Sequence, residues 1–268
     1  MKIEVSKLLL EVRNNNPLVH HITNYVTAND CANIVLAIGG SPVMADDVHE
    51  VEEMVSVASS LVINIGTLNS RSIESMIMAG KRANSLNIPV ILDPVGIRAT
   101  ELRTKTVNRL LEEIKFSVIR GNMAEIKAIG GESSNIKGVD SMDDTIIDEG
   151  IIKNIASNLD TVIAMTGAKD IVTDGSKVCI IDNGVPLLSK VTGTGCMSTS
   201  LVGTFCGITN NYYLSSIAGI VSMGLAGEMS YNSLENKSAL GSFKVGILDN
   251  VSSLTANDII NSGNFYEI

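Results

Sequence analysis

A chain of 268 residues suits one large α/β domain or two small ones, and with 45% apolar residues and a mean hydropathy of +0.26 it buries a sizeable core rather than staying disordered. The net charge of −9 excludes a large basic face for nucleic acid and a cationic membrane surface. It does not exclude ATP, because phosphate sites are local and use backbone donors and magnesium.

In chain order, residues 3–14 fit an amphipathic helix with Val5, Leu8, Leu9 and Val12 on one face. Residues 17–22 read as a short strand. Thr27 or Asn29 can cap a helix that runs through Ile38 and stops at Gly39-Gly40. Residues 41–45 are extended, Asp46-Asp47 can cap the next helix, and His49 to Ser60 is helical. A regular alternation then begins: strand 61–65, helix 70–86, strand 89–92, helix 101–114, strand 116–119 and helix 123–129. Such β-α alternation predicts a parallel sheet with helices on both faces. Residues 130–144, rich in Gly, Ser and Asp, read as a surface loop. A helix over 148–158 and a strand over 161–165 come next. Three short strands are expected at 171–173, 177–181 and 185–188, the first two joined through Asp174-Gly175, so the sheet becomes partly antiparallel here. The remainder is helical: 196–208, 213–232, 236–249 and 255–261. No repeat, charge block or linker splits residues 1–268, which read as one domain.

Tryptophan is absent and aromatics are 3%, so Val, Ile, Leu, Ala and Met must fill the core. Cys31, Cys179, Cys196 and Cys206 form no C-x-x-C pair and read as free thiols in a reducing cytoplasm. Glu4, Lys7, Glu11 and Arg13 break any signal-peptide apolar core. The longest apolar stretch, Tyr212 to Gly227, is short of the ~20 residues a membrane span needs and carries Ser215, Ser216 and Ser222.

The chemistry centres on residues 192–205. Thr192 to Gly195 read as a tight loop of small residues and Met197 to Phe205 as the first turns of an apolar helix. The first N–H groups of a helix lack partners in the chain, and the dipole there favours negative charge. Gly193, Thr194, Gly195 and Cys196 therefore make a seat for a phosphate or oxyanion. A glycine-rich connector with a small buried Cys196 fits the stretch about as well.

Ligands of open α/β sheets bind outside the carboxyl ends of the strands. Asp93, Arg120, Asn122, Glu125 and Thr166 stand at such ends. Two carboxylates and an amide suit magnesium, which takes hard oxygen ligands. An arginine suits a phosphate. Each also has a local role open to it: Asp93-Pro94 starts a turn, and Asn122 caps the next helix with Glu125 as its capping-box partner. Taken together, polar strand ends aimed at one rim favour a site. Other templates fail. Ser198 stands where a dinucleotide fingerprint needs Gly, no G-x-x-x-x-G-K-[ST] occurs, and His20, His21 and His49 have no zinc spacing. A Cys196 nucleophile is chemically open at a helix start, but no histidine partner is evident.

Several blocks resemble one family. Leu18 to Val26, Ser41 to Ala45, Leu92 to Gly96, Ile119 to Asn122 with Glu125, Met165 to Gly167 and Val191 to Met197 are similar, in order, to the signatures of hydroxyethylthiazole kinases. That family sits in the ribokinase-like superfamily. The resemblance implies a three-layer α/β/α fold whose mostly parallel sheet has antiparallel strands at one side. It implies transfer of the γ-phosphoryl of ATP to the primary hydroxyl of 4-methyl-5-(2-hydroxyethyl)thiazole, a salvage step of thiamine biosynthesis. By the same resemblance Arg120 and Thr166 contact ATP, and Met44 and Gly193 contact the thiazole with Asn24 nearby. Asp93 and Glu125 serve Mg2+ and phosphates, through water where needed. The family implies a cytoplasmic homotrimer with sites between subunits. Cys196 stands where most ribokinase-like enzymes place an aspartate as general base. The alternatives are a hydroxymethylpyrimidine or pyridoxal type of kinase, and a non-catalytic nucleotide-binding module of the same fold.

Overall fold

Alternate residues of the strand segments enter two separate cores. Val62 and Ile91 join one, while Leu61, Ile63, Val90 and Leu92 join the other. Side chains on a strand alternate between faces, so a strand apolar at every position must be covered on both sides. The computed structural model describes residues 1–131 and 149–268. From residue 132 onward the surface loop expected over 130–144 lies outside the described residues, as does Asp148.

The elements run α1 (Lys2–Asn15), β1 (Leu18–Ile22), α2 (Ala28–Ile38), β2 (Ser41–Met44), α3 (Val51–Val57), β3 (Ser60–Asn64), α4 (Ser70–Ser85) and β4 (Val90–Asp93). They continue with α5 (Glu101–Glu113), β5 (Val118–Asn122), α6 (Met123–Ile129), α7 (Glu149–Leu159), β6 (Val162–Thr166), β7 (Asp170–Thr173) and β8 (Val178–Ile181). A 3-10 helix (Pro186–Lys190) leads to α8 (Thr194–Cys206), α9 (Tyr212–Ser233), α10 (Leu240–Ser253), α11 (Ala256–Ser262) and β9 (Phe265–Glu267). The nine strands form one sheet in the order β2-β1-β3-β4-β5-β6-β7-β8-β9. Pairings from β2 through β6 are parallel, and those from β6 through β9 are antiparallel. Helices α1, α2, α8, α9, α10 and α11 cover one face, with Phe205 and Phe243 fully buried among them. Helices α3 to α7 cover the other. This is the expected α/β/α layering.

Five expectations need correction. The strand expected at 185–188 is the 3-10 helix, because Pro186 has no N–H for a ladder. Ahead of it, Gly184 turns the chain at φ 135° while its N–H donates to Glu228 Oε1 at 2.7 Å. The edge beside β8 is taken instead by β9, where the sequence predicts no element. The helix expected over 49–60 shrinks to α3, since Asp47 Oδ1 holds the His49 N–H at 3.0 Å in a preceding turn and Ser60 pairs with Val19. The fifth strand starts two residues later and ends three later than expected, so Arg120 lies inside it and Asn122 both ends it and caps α6. Helix α8 starts at Thr194, which makes Gly193 its N-cap.

Candidate active site

Parallel register carries several polar residues to one rim. Asn64 pairs with Asp93 across β3 and β4, and Asn122 pairs with Thr166 across β5 and β6. Helix α8 runs beneath β1, β3 and β4 with its amino end at that rim.

Asp93 is fully buried. Its Oδ2 accepts hydrogen bonds from Asn64 Nδ2 at 2.8 Å and Thr199 Oγ1 at 2.8 Å, while its Oδ1 has no partner. Burial pushes its carboxyl up to about 6, against the lowering pull of the Arg120 charge. Glu125 completes a capping box: Asn122 N–H donates to Oε2 at 2.8 Å and Glu125 N–H donates to Asn122 Oδ1 at 2.9 Å. Its other oxygen accepts from Gly96 N–H at 2.9 Å, which ties α6 to the turn after Asp93. The local role thus coexists with a place on the rim.

Arg120 Nη2 donates to Thr166 Oγ1 at 2.6 Å, and its buried Nε has no partner. Both face a cleft of about 510 Å³. The cleft is lined by Thr166, Gly167, Thr194 and Gly195 and by the apolar side chains of Val185, Leu188, Ile220 and Met223. Asp170 also lines it, accepting from Gly167 N–H at 2.9 Å, with burial pushing its carboxyl up to about 6. Two further clefts, of about 470 and 410 Å³, lie around Lys115, Phe116 and Asp160 at the opposite ends of the strands and touch none of the rim residues.

Gly193 adopts φ 94°, a left-handed conformation that glycine tolerates without strain. No side chain caps α8, so its leading N–H groups face the rim. Thr194 Oγ1 donates back to Leu188 O at 3.0 Å, which leaves only the backbone of Thr194 for an anion. Cys196 is half-buried, with Asn64 Nδ2 donating to Sγ at 3.2 Å and Asn24 Nδ2 at 3.5 Å. Burial and then the Asp93 charge push its thiol up, so the helix terminus does not make it a ready nucleophile. His21 gives it no base: its ring is held between Val19 O and Ser200 Oγ, and burial depresses it to about 4.

The rim therefore gathers Asn24, Asp93, Arg120, Asn122, Glu125, Thr166 and Gly193 to Cys196. Met44 is not gathered: it is 38% exposed on the edge strand β2, separated from β4 by β1 and β3. Sequence reasoning missed Asn64, Thr199 and Asp170. Asn64 had a visible signal, a lone polar residue closing an apolar strand as Asp93 does. Thr199 lies three residues after Cys196, on one helix face with it.

The family model for the hydroxyethylthiazole kinase family matches residues 9–257. The hydroxyethylthiazole kinase of Clostridium beijerinckii is 54% identical, covering 100% of this chain and 99% of its own. That of Alkaliphilus oremlandii is 53% identical over the same shares. The solved structure of the hydroxyethylthiazole kinase protein from Pyrococcus horikoshii superposes with a TM-score of 0.88 at 37% identity, covering 99% of both chains. A pyridoxal kinase from Staphylococcus aureus, solved with AMP-PCP, reaches a TM-score of 0.59 at 13% identity and shares the fold alone. Matched by the family model over nearly its whole length, and half identical to relatives end to end, the chain belongs to the hydroxyethylthiazole kinase family of ribokinase-like fold.

Proposed function

We propose that the protein transfers the γ-phosphoryl group of ATP to the primary hydroxyl of 4-methyl-5-(2-hydroxyethyl)thiazole, in thiamine salvage. One observation carries the reading: Gly195 lines the cleft on one side of the loop and is followed at once by Cys196, whose sulfur meets the rim carboxylate through Asn64. A nucleotide in the cleft and an alcohol at the sulfur meet across the same helix terminus.

ATP is the co-substrate. The apolar wall of Val185, Leu188, Ile220 and Met223 suits a base, and Arg120 with Thr166 suits the phosphates. The loop N–H groups of Gly193 to Cys196 stabilise charge on the phosphoryl group in flight. Met44, Gly193 and Asn24 bind the thiazole, and Met44 on its edge strand serves the site of a neighbouring subunit in a homotrimer. The chain acts as a single cytoplasmic kinase domain over residues 1–268. No helix among the described residues is long and apolar enough to cross a membrane.

The residues present fit magnesium. Asp93 Oδ1 is a buried oxygen with no partner, and the Glu125 charge lies near enough to act on the same carboxyl. Among the described residues no group of three or more His, Cys, Asp or Glu forms a metal cage. Magnesium needs none, since it is commonly held by one or two carboxylates with substrate phosphates and water. Asp93 and Glu125, with Asn122, would hold it, directly or through water. When bound it neutralises phosphate charge.

Phosphoryl transfer has a loose transition state and depends on positioning and electrostatics more than on a strong base. Cys196 orients the hydroxyl and contributes only modestly to proton removal, because burial and the Asp93 charge favour its protonated form. ADP release from Mg-ATP, assayed with the thiazole alcohol, hydroxymethylpyrimidine and pyridoxal, tests the reading. Release driven by the thiazole alcohol is expected. ATP binding with turnover of none of the three overturns it.

A further inference from the structure

We propose that Asn64 is a positioning residue for this transfer: its one amino group holds the Cys196 sulfur and the Asp93 carboxylate in fixed relation. The proposal rests on the reading that Cys196 adjoins the acceptor hydroxyl.

Asn64 ends β3 and is 2% exposed. Its amide orientation is set by a partner that can only donate, the Gly66 N–H, which reaches Oδ1 at 2.9 Å. Asn24 is fixed the same way by the Thr27 N–H, at 3.0 Å from its Oδ1. The amino groups of both asparagines must then face the sulfur, at 3.2 and 3.5 Å. The bond inventory of Asn64 closes. Its two N–H groups go to Asp93 Oδ2 and Cys196 Sγ, and its oxygen accepts from Gly66 N and Asn24 Nδ2. A planar amide saturated at every atom has nothing left to offer a substrate, so Asn64 acts through the two groups it holds.

Those two groups have different duties. The sulfur faces the acceptor alcohol, and the carboxylate faces the phosphate side. A rigid amide between them sets how far apart nucleophile and phosphoryl group are presented, the quantity on which this kind of transfer depends. Two N–H donors converging on the sulfur also turn its own S–H away from the asparagines. Thr199 offers an internal comparison. It donates to the same Asp93 oxygen at 2.8 Å, with no bond to the sulfur.

The test is a double-mutant cycle on the full-length protein with Mg-ATP and the thiazole alcohol. Wild type, Asn64→Ala, Cys196→Ala and the double variant are compared, with Thr199→Val alongside. For Asn64→Ala, kcat is expected to fall about 10- to 100-fold, the scale of a misplaced reacting group. The KM for ATP is expected to stay within about threefold of wild type, because Asn64 does not line the nucleotide cleft. In the Cys196→Ala background the same change is expected to cost at least about threefold less than in wild type, because only the part that acts through Asp93 remains. Thr199→Val is expected to keep its full cost in that background. Should Asn64→Ala not fold, Asn64→Ser, which keeps one donor, takes its place with the same expected coupling. An equal kcat loss in both backgrounds overturns the proposal, as does an unchanged kcat in an active enzyme. Wild-type protein that turns over no alcohol overturns the functional reading and this proposal with it.

Discussion

Arg120 Nη1 lies 2.7 Å from where a Cβ on Gly195 would stand. The guanidinium thus packs against Gly195, where a side chain would collide with it, while Nη2 reaches Thr166. Gly195→Ala displaces the flexible end of Arg120, not backbone, so melting temperature is expected to change little. The displaced fork gives up its bond to Thr166 and its grip on phosphate. Losing one charge-assisted hydrogen bond is expected to raise the KM for ATP about tenfold or more. An unchanged ATP KM shows that Arg120 does not bind nucleotide from this position.

Asp93 sets stability against function. Its carboxyl is raised from 3.8 to about 6 in the folded protein. Between those values the folded state binds more protons than the unfolded state, so stability falls as pH rises through that window and the full penalty stands above it. A shift of that size corresponds to about 3 kcal/mol at neutral pH. Metal-free Asp93→Asn is therefore expected to melt higher than wild type at pH 8 and to lose that advantage near pH 4. Its kcat is expected to fall about 100- to 1000-fold, as for removal of one charge stabiliser in a site. Melting curves of both proteins across pH decide the first point, and a lower melting temperature for Asp93→Asn at pH 8 contradicts it.

Cys196→Asp places a carboxylate where two amide N–H groups already converge. It is expected to keep or raise kcat. Cys196→Ala is expected to retain measurable turnover, since orientation and loop electrostatics survive it. Complete loss with alanine, or a covalent adduct on the sulfur seen by mass spectrometry, would show that the thiol does more than orient the alcohol.

Glu125→Gln keeps one oxygen for the two backbone N–H groups that Glu125 now accepts. The capping box is weakened by about 1 kcal/mol, a modest fall in melting temperature. The Mg2+ concentration for half-maximal turnover is expected to rise about tenfold, as outer-sphere changes do. A normal Mg2+ requirement with the same loss of stability would leave Glu125 as a helix cap alone.

Much of this protein is legible in its sequence. Strands buried on both faces have to be apolar throughout, so Leu61 to Ile63 and Val90 to Leu92 announce a covered parallel sheet. Asn122 and Glu125 announce a capping box by spacing alone, because that motif is local and its partners are three residues apart. The ordered blocks from Leu18 to Met197 identify the family. Features that are local in physical origin, such as caps, alternation and glycine loops, can be read along the chain.

Only the tertiary structure decided the rest, because those features depend on residues far apart in sequence. β9 forms because the chain after α11 returns to the open edge of β8, which Pro186 cannot fill. Asn64 is an ordinary strand end until parallel register sets it against Asp93 and α8 brings Cys196 beneath it, 132 residues further on. The thiol of Cys196 is decided in the same way. A helix terminus read alone argues for a lowered pKa, but burial and the Asp93 charge win once the chain is folded.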